Sequence, residues 1–404
     1  MRARTHSVLA ASVVLALAAG PLAAPAFAAP PATAAHSADQ GDQGDQGDQG
    51  DEGDQGDQGG PNEKALRAAL DGLPNRYATA ALVRVGTSGG DWHGSAGVRD
   101  LASGRPAHPD ARFRAGSITK VVTAATVLRL AARDEIDLDA PVQGYLPDLF
   151  TPEFRQPISV RHLLNHTSGI KPGVSFGDAF TDVYPHRYDT LTPQQVAASA
   201  IAEGPEEFAP GTRQQYLNIN YTILGLLIEK VTGRSYASVA TRLVLRPAGM
   251  HHTSFPGTDP RIRGPHNRGY QKVERPDGTT TFVDVTEWNQ ADRWAAGDMI
   301  STTADLEKLL TKLFRGRIVP QPELEEMFTT PAGVTGATLS AGLEYQEVDG
   351  QVFWTKSGSR YGYGTFIGGT RDLRRTLVYS VNSTDAKGEG HKPVGEAIVA
   401  AAVR

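Results

Sequence analysis

The sequence predicts an α+β fold: an antiparallel β-sheet flanked by helices, with a mainly helical lobe inserted into it. Three observations carry this. Strand-like stretches stand at both ends of the body, Ala78 to Val85 and Trp92 to Val98 early, then Val352 to Thr355, Gly364 to Gly368 and Arg375 to Asn382 late. The middle, about residues 140–300, mixes helices and long loops. A helix predicted from Ser117 to about Arg133 is apolar almost all round, as a buried helix is. Strands at both ends of a helix-rich middle make one sheet domain with an insertion.

Taken in order, residues 1–28 read as a secretory signal peptide. Arg2 and Arg4 form a basic start, Val8 to Ala19 an apolar core, and Ala26-Phe27-Ala28 a small-x-small cleavage site. An uncleaved anchor fits less well, because the apolar run is short for a membrane span. A secreted or cell-wall-associated location without a stable membrane anchor is therefore expected. Residues 29–62 read as a disordered linker. From Gly41 to Gly60 it repeats Gly-Asp-Gln, and glycine with charge but no apolar residues cannot offset the entropy of ordering. The folded domain is expected over 63–404. It opens with a short helix, Glu63 to Asp71; Leu306 to Phe314 is a further helix, and Pro393 to Val403 closes the chain as another.

Charge and composition exclude several function classes. The net charge is −5, but residues 1–60 carry two arginines and eight acids, so the remainder sums to +1 and shows no basic footprint for nucleic acid. The chain has no cysteine, which removes disulfides, thiolate metal sites and a cysteine nucleophile. His162 and His166 stand four apart but enclose no glutamate, so they read as loop or packing histidines, as does the pair His251-His252; no metal or cofactor is expected.

Three short motifs bear chemistry. Ser117-Ile118-Thr119-Lys120 places a hydroxyl and an amine at i and i+3, on one helical face. In a buried helix the ammonium is costly to desolvate, so its pKa falls and the neutral amine can take the serine proton. The free N–H groups at the helix start supply half of an oxyanion hole. Read alone, the same residues also describe a capping serine and a surface lysine. Ser168-Gly169-Ile170-Lys171 matches the pattern too, but its internal glycine and Pro172 suit it poorly to open a helix. Tyr216-Leu217-Asn218 precedes a helix predicted over Tyr221 to Val231; a tyrosine beside a cation can relay a proton, and an asparagine can hold a substrate amide. Lys356-Ser357-Gly358-Ser359 opens a glycine-rich strand, where a lysine and hydroxyls can hold a carboxylate and glycine admits the substrate backbone.

The conjunction is far more specific than its parts. Ser-Lys, Tyr-Asn and Lys-Ser-Gly occur in that order, 99 and 140 residues apart. With Leu163-Leu164-Asn165-His166-Thr167-Ser168-Gly169-Ile170 and Ala295-Ala296-Gly297-Asp298-Met299-Ile300-Ser301-Thr302, the chain resembles the penicillin-recognising serine hydrolases, in particular the secreted D-alanyl-D-alanine carboxypeptidase and class C β-lactamase group. The resemblance covers about residues 64–400 and implies a β-lactamase/transpeptidase-like fold. It implies that Ser117 forms an acyl-enzyme, that Lys120 and Tyr216 share proton transfer, and that Asn218, Lys356 and Ser357 hold the substrate amide and carboxylate. It also implies an oxyanion hole from the amides of Ser117 and Ser359, with Gly358 between, and offers Trp294 as a candidate cleft wall, a core tryptophan being the other reading of that residue.

Two departures bear on the substrate. Relatives that cleave D-alanyl-D-alanine often open the third motif with histidine, and some place an arginine after the preceding Gly-Leu; here Lys356 opens the motif and Glu344 follows Gly342-Leu343. Arg360, just past the motif, can substitute as the carboxylate ligand. The expectation is a D,D-carboxypeptidase acting on peptidoglycan stem peptides. An esterase or β-lactamase on the same scaffold is the first alternative, and a non-catalytic peptidoglycan- or penicillin-binding protein the second.

Overall fold

The computed structural model describes residues 59–204, 208–275, 277–388 and 392–403. The predicted signal peptide and most of the predicted linker lie outside the described residues.

The body begins with a helix, Glu63–Leu70, capped by the Asn62 side chain, which accepts from the Ala65 N–H at 3.1 Å. Strands β1 (Ala78–Thr87) and β2 (Gly90–Gly97) follow as a hairpin. Strand β3 (Phe113–Arg114) leads into the Ser117 turn. A surface hairpin, β4 (Tyr270–Glu274) and β5 (Thr280–Asp284), and the two-residue β6 (Ile300–Ser301) come from the middle of the chain. The last strands are β7 (Glu344–Val348), β8 (Gln351–Arg360), β9 (Tyr363–Gly369) and β10 (Arg375–Ser383), and the chain closes with the helix Lys392–Ala402.

Six strands form one antiparallel sheet in the order β2-β1-β10-β9-β8-β7. Pairing of β1 with β10 joins the two ends of the body, so everything from β3 to β6 is the insertion that the strand pattern implied. Strand β1 is buried along nearly its whole length because both faces of the sheet are covered. Its Ala81, Val83 and Val85 pack under the two terminal helices, against Leu66, Leu70, Val394 and Ile398. Its Leu82 points the other way, into the main core.

The helix Thr119–Ala131 runs through that core; Val121, Val122, Ala124, Ala125, Val127 and Leu128 have no exposed surface. Against it packs Asn218–Thr232, which ends on Gly233 in the left-handed conformation that closes helices.

The structure redraws three boundaries. Ser117 lies in a tight 3₁₀ turn, Gly116–Ile118, and the α-helix starts at Thr119. Asn218 is the first residue of its helix instead of preceding it. Lys356 to Ser359 end the long strand β8 where a new strand was expected. Strand β7 and the β4–β5 hairpin were not predicted: both alternate weakly and are largely polar, so hydrophobic period hid them, although Asp277-Gly278 at the hairpin tip is a turn signal.

Candidate active site

Ser117 is held by backbone on three sides. Pairing of β3 with β6 fixes the approach, the Ala115 N–H donates to the Met299 carbonyl at 2.8 Å, and Thr365 Oγ1 donates to the Ala115 carbonyl at 2.9 Å. Gly116 adopts φ +54°, and a Cβ there would stand 2.6 Å from the Ser359 nitrogen. A Cβ on Gly358 would stand 2.1 Å from the Ala115 oxygen. These two glycines let β8 and the Ser117 turn touch, which brings the Ser359 amide beside Ser117. From Phe113 to Lys120 Ser117 is the one residue that is not buried.

Lys120 has no exposed surface. Its Nζ donates to Asn218 Oδ1 and to the Ala296 carbonyl, both at 2.7 Å, and to Ser117 Oγ at 3.3 Å. Burial lowers its pKa to about 8, with the Lys356 charge adding to the effect and Tyr216 opposing it. The Asn218 amide nitrogen is left without a hydrogen bond to a described residue, because Lys120 occupies only its oxygen.

Tyr216 lies between two cations, its ring centre 5.0 Å from Lys120 Nζ and 4.6 Å from Lys356 Nζ. Burial raises the phenol, but Lys120 and Lys356, together with polar contact from Ser117 and Lys120, outweigh burial and bring it down to about 7. Its oxygen is buried without a hydrogen bond of normal geometry, a group with nothing yet to serve. Lys356 is 4% exposed and makes no hydrogen bond to a described residue.

His166 supports the tyrosine from below, ring centres 4.6 Å apart. It sits at φ +62°, and its Nδ1 accepts from the Leu217 N–H at 3.3 Å and faces Asn220 Nδ2 at 3.1 Å. Burial first, then the charges of Lys120 and Lys356, hold its pKa well below the usual imidazole value, so it is neutral. His166 is thus a packing histidine, as read from the sequence; that its packing partner is Tyr216 has no counterpart in sequence spacing.

Ser168 and Lys171 fall apart. Ser168 Oγ donates to Asn220 Oδ1 at 2.5 Å, and Lys171 Nζ reaches the Glu203 carbonyl at the surface. A cavity of about 20 Å³, room for one water, lies beside Ser117 and is lined by Asn218, Arg293, Ser359, Arg360 and Lys387 among others. Trp294 is not among its walls, so of its two readings the packing one fits. Its ring fills the space over Gly225, where a Cβ would meet it at 2.5 Å, and packs on Tyr236 at 5.3 Å between ring centres, so it is a partly buried residue packed against the core. Arg360 does reach the cavity, but buried against Trp288 and 3.7 Å from Asp292.

The beta-lactamase family model matches residues 66–401. The chain belongs to the beta-lactamase family. It is accordingly a serine hydrolase with the family's α+β fold, and the resemblance read from the motifs holds. Among its relatives, esterase EstB of Burkholderia gladioli is 35% identical over 197 residues, 44% of this chain and 47% of that protein. The chain thus spans about half the length of that relative. Penicillin-binding protein 4* of Bacillus subtilis (strain 168) is 26% identical over 339 residues, 80% of this chain and 72% of the relative. The crystal structure of a D-stereospecific amidohydrolase from Streptomyces sp. superposes with a TM-score of 0.70 at 31% identity, covering 83% of this chain and 97% of the other. The arrangement in this beta-lactamase-family chain, a hydroxyl, a buried amine and a lowered phenol in one cleft, is suited to acyl transfer through serine.

Proposed function

We propose that this chain is a D-alanyl-D-alanine carboxypeptidase, exported by the N-terminal signal and trimming peptidoglycan stem peptides outside the membrane. The observation that carries the reading is Lys356, which is 4% exposed overall and whose Nζ stands over the Tyr216 ring without a hydrogen bond to a described residue. A cation reachable from the cleft and not bonded to a described acceptor suits a C-terminal carboxylate on the leaving amino acid, a charge-assisted hydrogen bond.

In this reading Tyr216, as phenolate beside the Lys120 ammonium, takes the Ser117 proton. Ser117 Oγ attacks the scissile carbonyl, whose developing oxyanion receives the Ser117 and Ser359 backbone N–H groups. The C–N bond breaks, Tyr216 returns the proton to the departing amine, and the acyl group stays on Ser117. Water, deprotonated by Tyr216, then attacks the acyl ester; the acyl–Oγ bond breaks and Tyr216 returns the proton to Ser117 Oγ. Asn218 presents its free amide nitrogen to a substrate carbonyl, and Ser357 flanks Lys356 at the carboxylate.

A second reading, hydrolysis of esters, lactams or simple amides, is favoured by Glu344. Burial raises its carboxyl and the Lys356 charge pulls it back, so an acid already shares the field of the proposed carboxylate ligand. EstB and the Streptomyces amidohydrolase support the same alternative by their names.

The deciding experiment compares D-alanine release from a diacyl-Lys-D-Ala-D-Ala peptide with hydrolysis of nitrocefin and of a nitrophenyl ester. Peptide turnover that Lys356→Met abolishes through KM supports the carboxypeptidase. Fast ester turnover without D-alanine release rejects it in favour of the second reading. A fluorescent penicillin should label Ser117, and labelling that survives Ser117→Ala removes the site assignment altogether.

A further inference from the structure

The proton donor fixes which end of the cleft is which. Tyr216 and Lys356 stand together, and the amine that leaves must meet Tyr216, so the leaving group lies toward Lys356. The acyl part therefore extends the other way along β8, toward Ser359 and Arg360. Past Thr355 the strand has no β7 partner, so its edge is free there.

That end is strongly cationic. Arg293, Arg360 and Lys387 all line the cavity beside Ser117. Among the described residues one acid, Asp292, answers them, with Arg293 Nε at 3.0 Å and Arg360 Nη2 at 3.7 Å. Burial, then the neighbouring arginine charges, pushes the Lys387 amine well below its usual value, and burial lowers Arg360 too; Asp292 is the acid that opposes both shifts and holds the charges in place. Neither contact completes a hydrogen bond, since Arg293 Nε and Asp292 Oδ1 are both buried without a partner. Neither guanidinium makes a hydrogen bond to a described residue, although Arg360 is only 3% exposed. Lys387 arrives from the turn after β10 and is exposed along its stem; its Nζ donates to the Ser359 carbonyl at 3.1 Å. That carbonyl lies on the free edge where an acyl-side N–H of the substrate would pair.

We propose that this cluster is an acyl-side anion site: the chain selects acyl donors that carry a carboxylate beyond the residue whose carbonyl is attacked, and Lys387 is the residue that exchanges partners when such a donor binds. The Lys387 ammonium leaves the Ser359 carbonyl to a substrate N–H and pairs with the substrate carboxylate, while Arg293 and Arg360 complete its hydrogen bonds. Donors with a free α-ammonium meet like charge at the same place and are rejected. The inference rests on the acyl-enzyme reading above, but not on the identity of the leaving group.

The test uses nitrophenyl esters of D-alanine that share one leaving group and differ in the acyl cap: N-succinyl, N-acetyl and the free amine. In the full-length protein the order of kcat/KM is succinyl, acetyl, amine, with about tenfold between neighbours, the effect of one charge-assisted hydrogen bond. Lys387→Met and Arg293→Met each cut the succinyl-to-acetyl ratio by about tenfold. Lys387→Glu inverts the succinyl-to-amine preference, and Lys387→Arg retains it. Equal kcat/KM across the three wild-type substrates overturns the proposal, as does a proportional loss on all three in the Lys387 variants. If D-alanine is not released from the peptide while the succinyl preference stands, the carboxypeptidase reading fails and the anion site survives. If the peptide is turned over but the three esters are equal, the reverse holds.

Discussion

Lys120 and Tyr216 lower each other's freedom to hold or lose a proton, so their titration belongs to the pair. The phenol must be ionised and the ammonium charged for Ser117 to be activated. With the phenol brought to about 7 and the ammonium to about 8, kcat/KM for acylation should rise through the first value and fall through the second. Tyr216→Phe should lower acylation by about 100-fold or more and erase the ascending limb; a pH profile that keeps both limbs in the variant would falsify the assignment. His166 acts one step further back. It holds the Leu217 N–H that follows the tyrosine and packs at a tilt against its ring, so His166→Ala should cost kcat about 10- to 100-fold with little change in KM. His166→Asn, which tolerates the positive φ and keeps an acceptor, should recover part of the loss. Steady-state kinetics on one ester separates the two parameters. Ser117 and Lys120 were legible because their geometry is local, three residues on one turn. His166, Arg293 and Lys387 were not, because each meets the site only through the fold.

At the scale of elements, the site depends on how closely one strand meets one turn. The sequence showed a glycine in the third motif and assigned it to substrate approach; the structure adds that Gly358 first admits the chain's own Ala115 carbonyl. A methyl group there would overlap that oxygen at 2.1 Å, and the oxygen is backbone already bonded to Thr365, so the strand must move. Gly358→Ala should therefore destabilise the fold by about 1–3 kcal/mol and displace the Ser359 amide from the oxyanion position. Thermal unfolding and penicillin acylation rate should both fall. A variant that acylates at the wild-type rate would show that the contact is slack. The same elements explain which strands were readable. β1, β9 and β10 carry apolar runs buried on both faces, whereas β7 presents Glu344, Gln346 and Glu347 at the sheet edge and reads as a loop.

Across the whole molecule, the pairing of β1 with β10 closes the body without any cross-link, since the chain has no cysteine, and the core alone supplies its stability. One residue in that core works against it. Asp298 is 1% exposed, and neither carboxylate oxygen has a hydrogen-bond partner. Burial, above all, pushes its pKa well above the usual carboxylate value, with the Asp292 charge adding to the shift. The sign follows from linkage. Between the unfolded value, about 4, and the raised folded value, the folded chain keeps a proton that the unfolded chain releases, so stability falls as pH rises through that window. Asp298→Asn removes this titration while nearly keeping the volume. The melting temperature of the variant should approach that of the wild type near about pH 4 and exceed it increasingly toward about pH 8. Melting curves that stay parallel across the range would mean that Asp298 is ionised and compensated in the fold. Asp298 also adjoins Ala296 and Gly297, whose backbone faces Lys120 and the cavity beside Ser117. The residue that weakens the core at neutral pH thus lies directly behind the catalytic cleft.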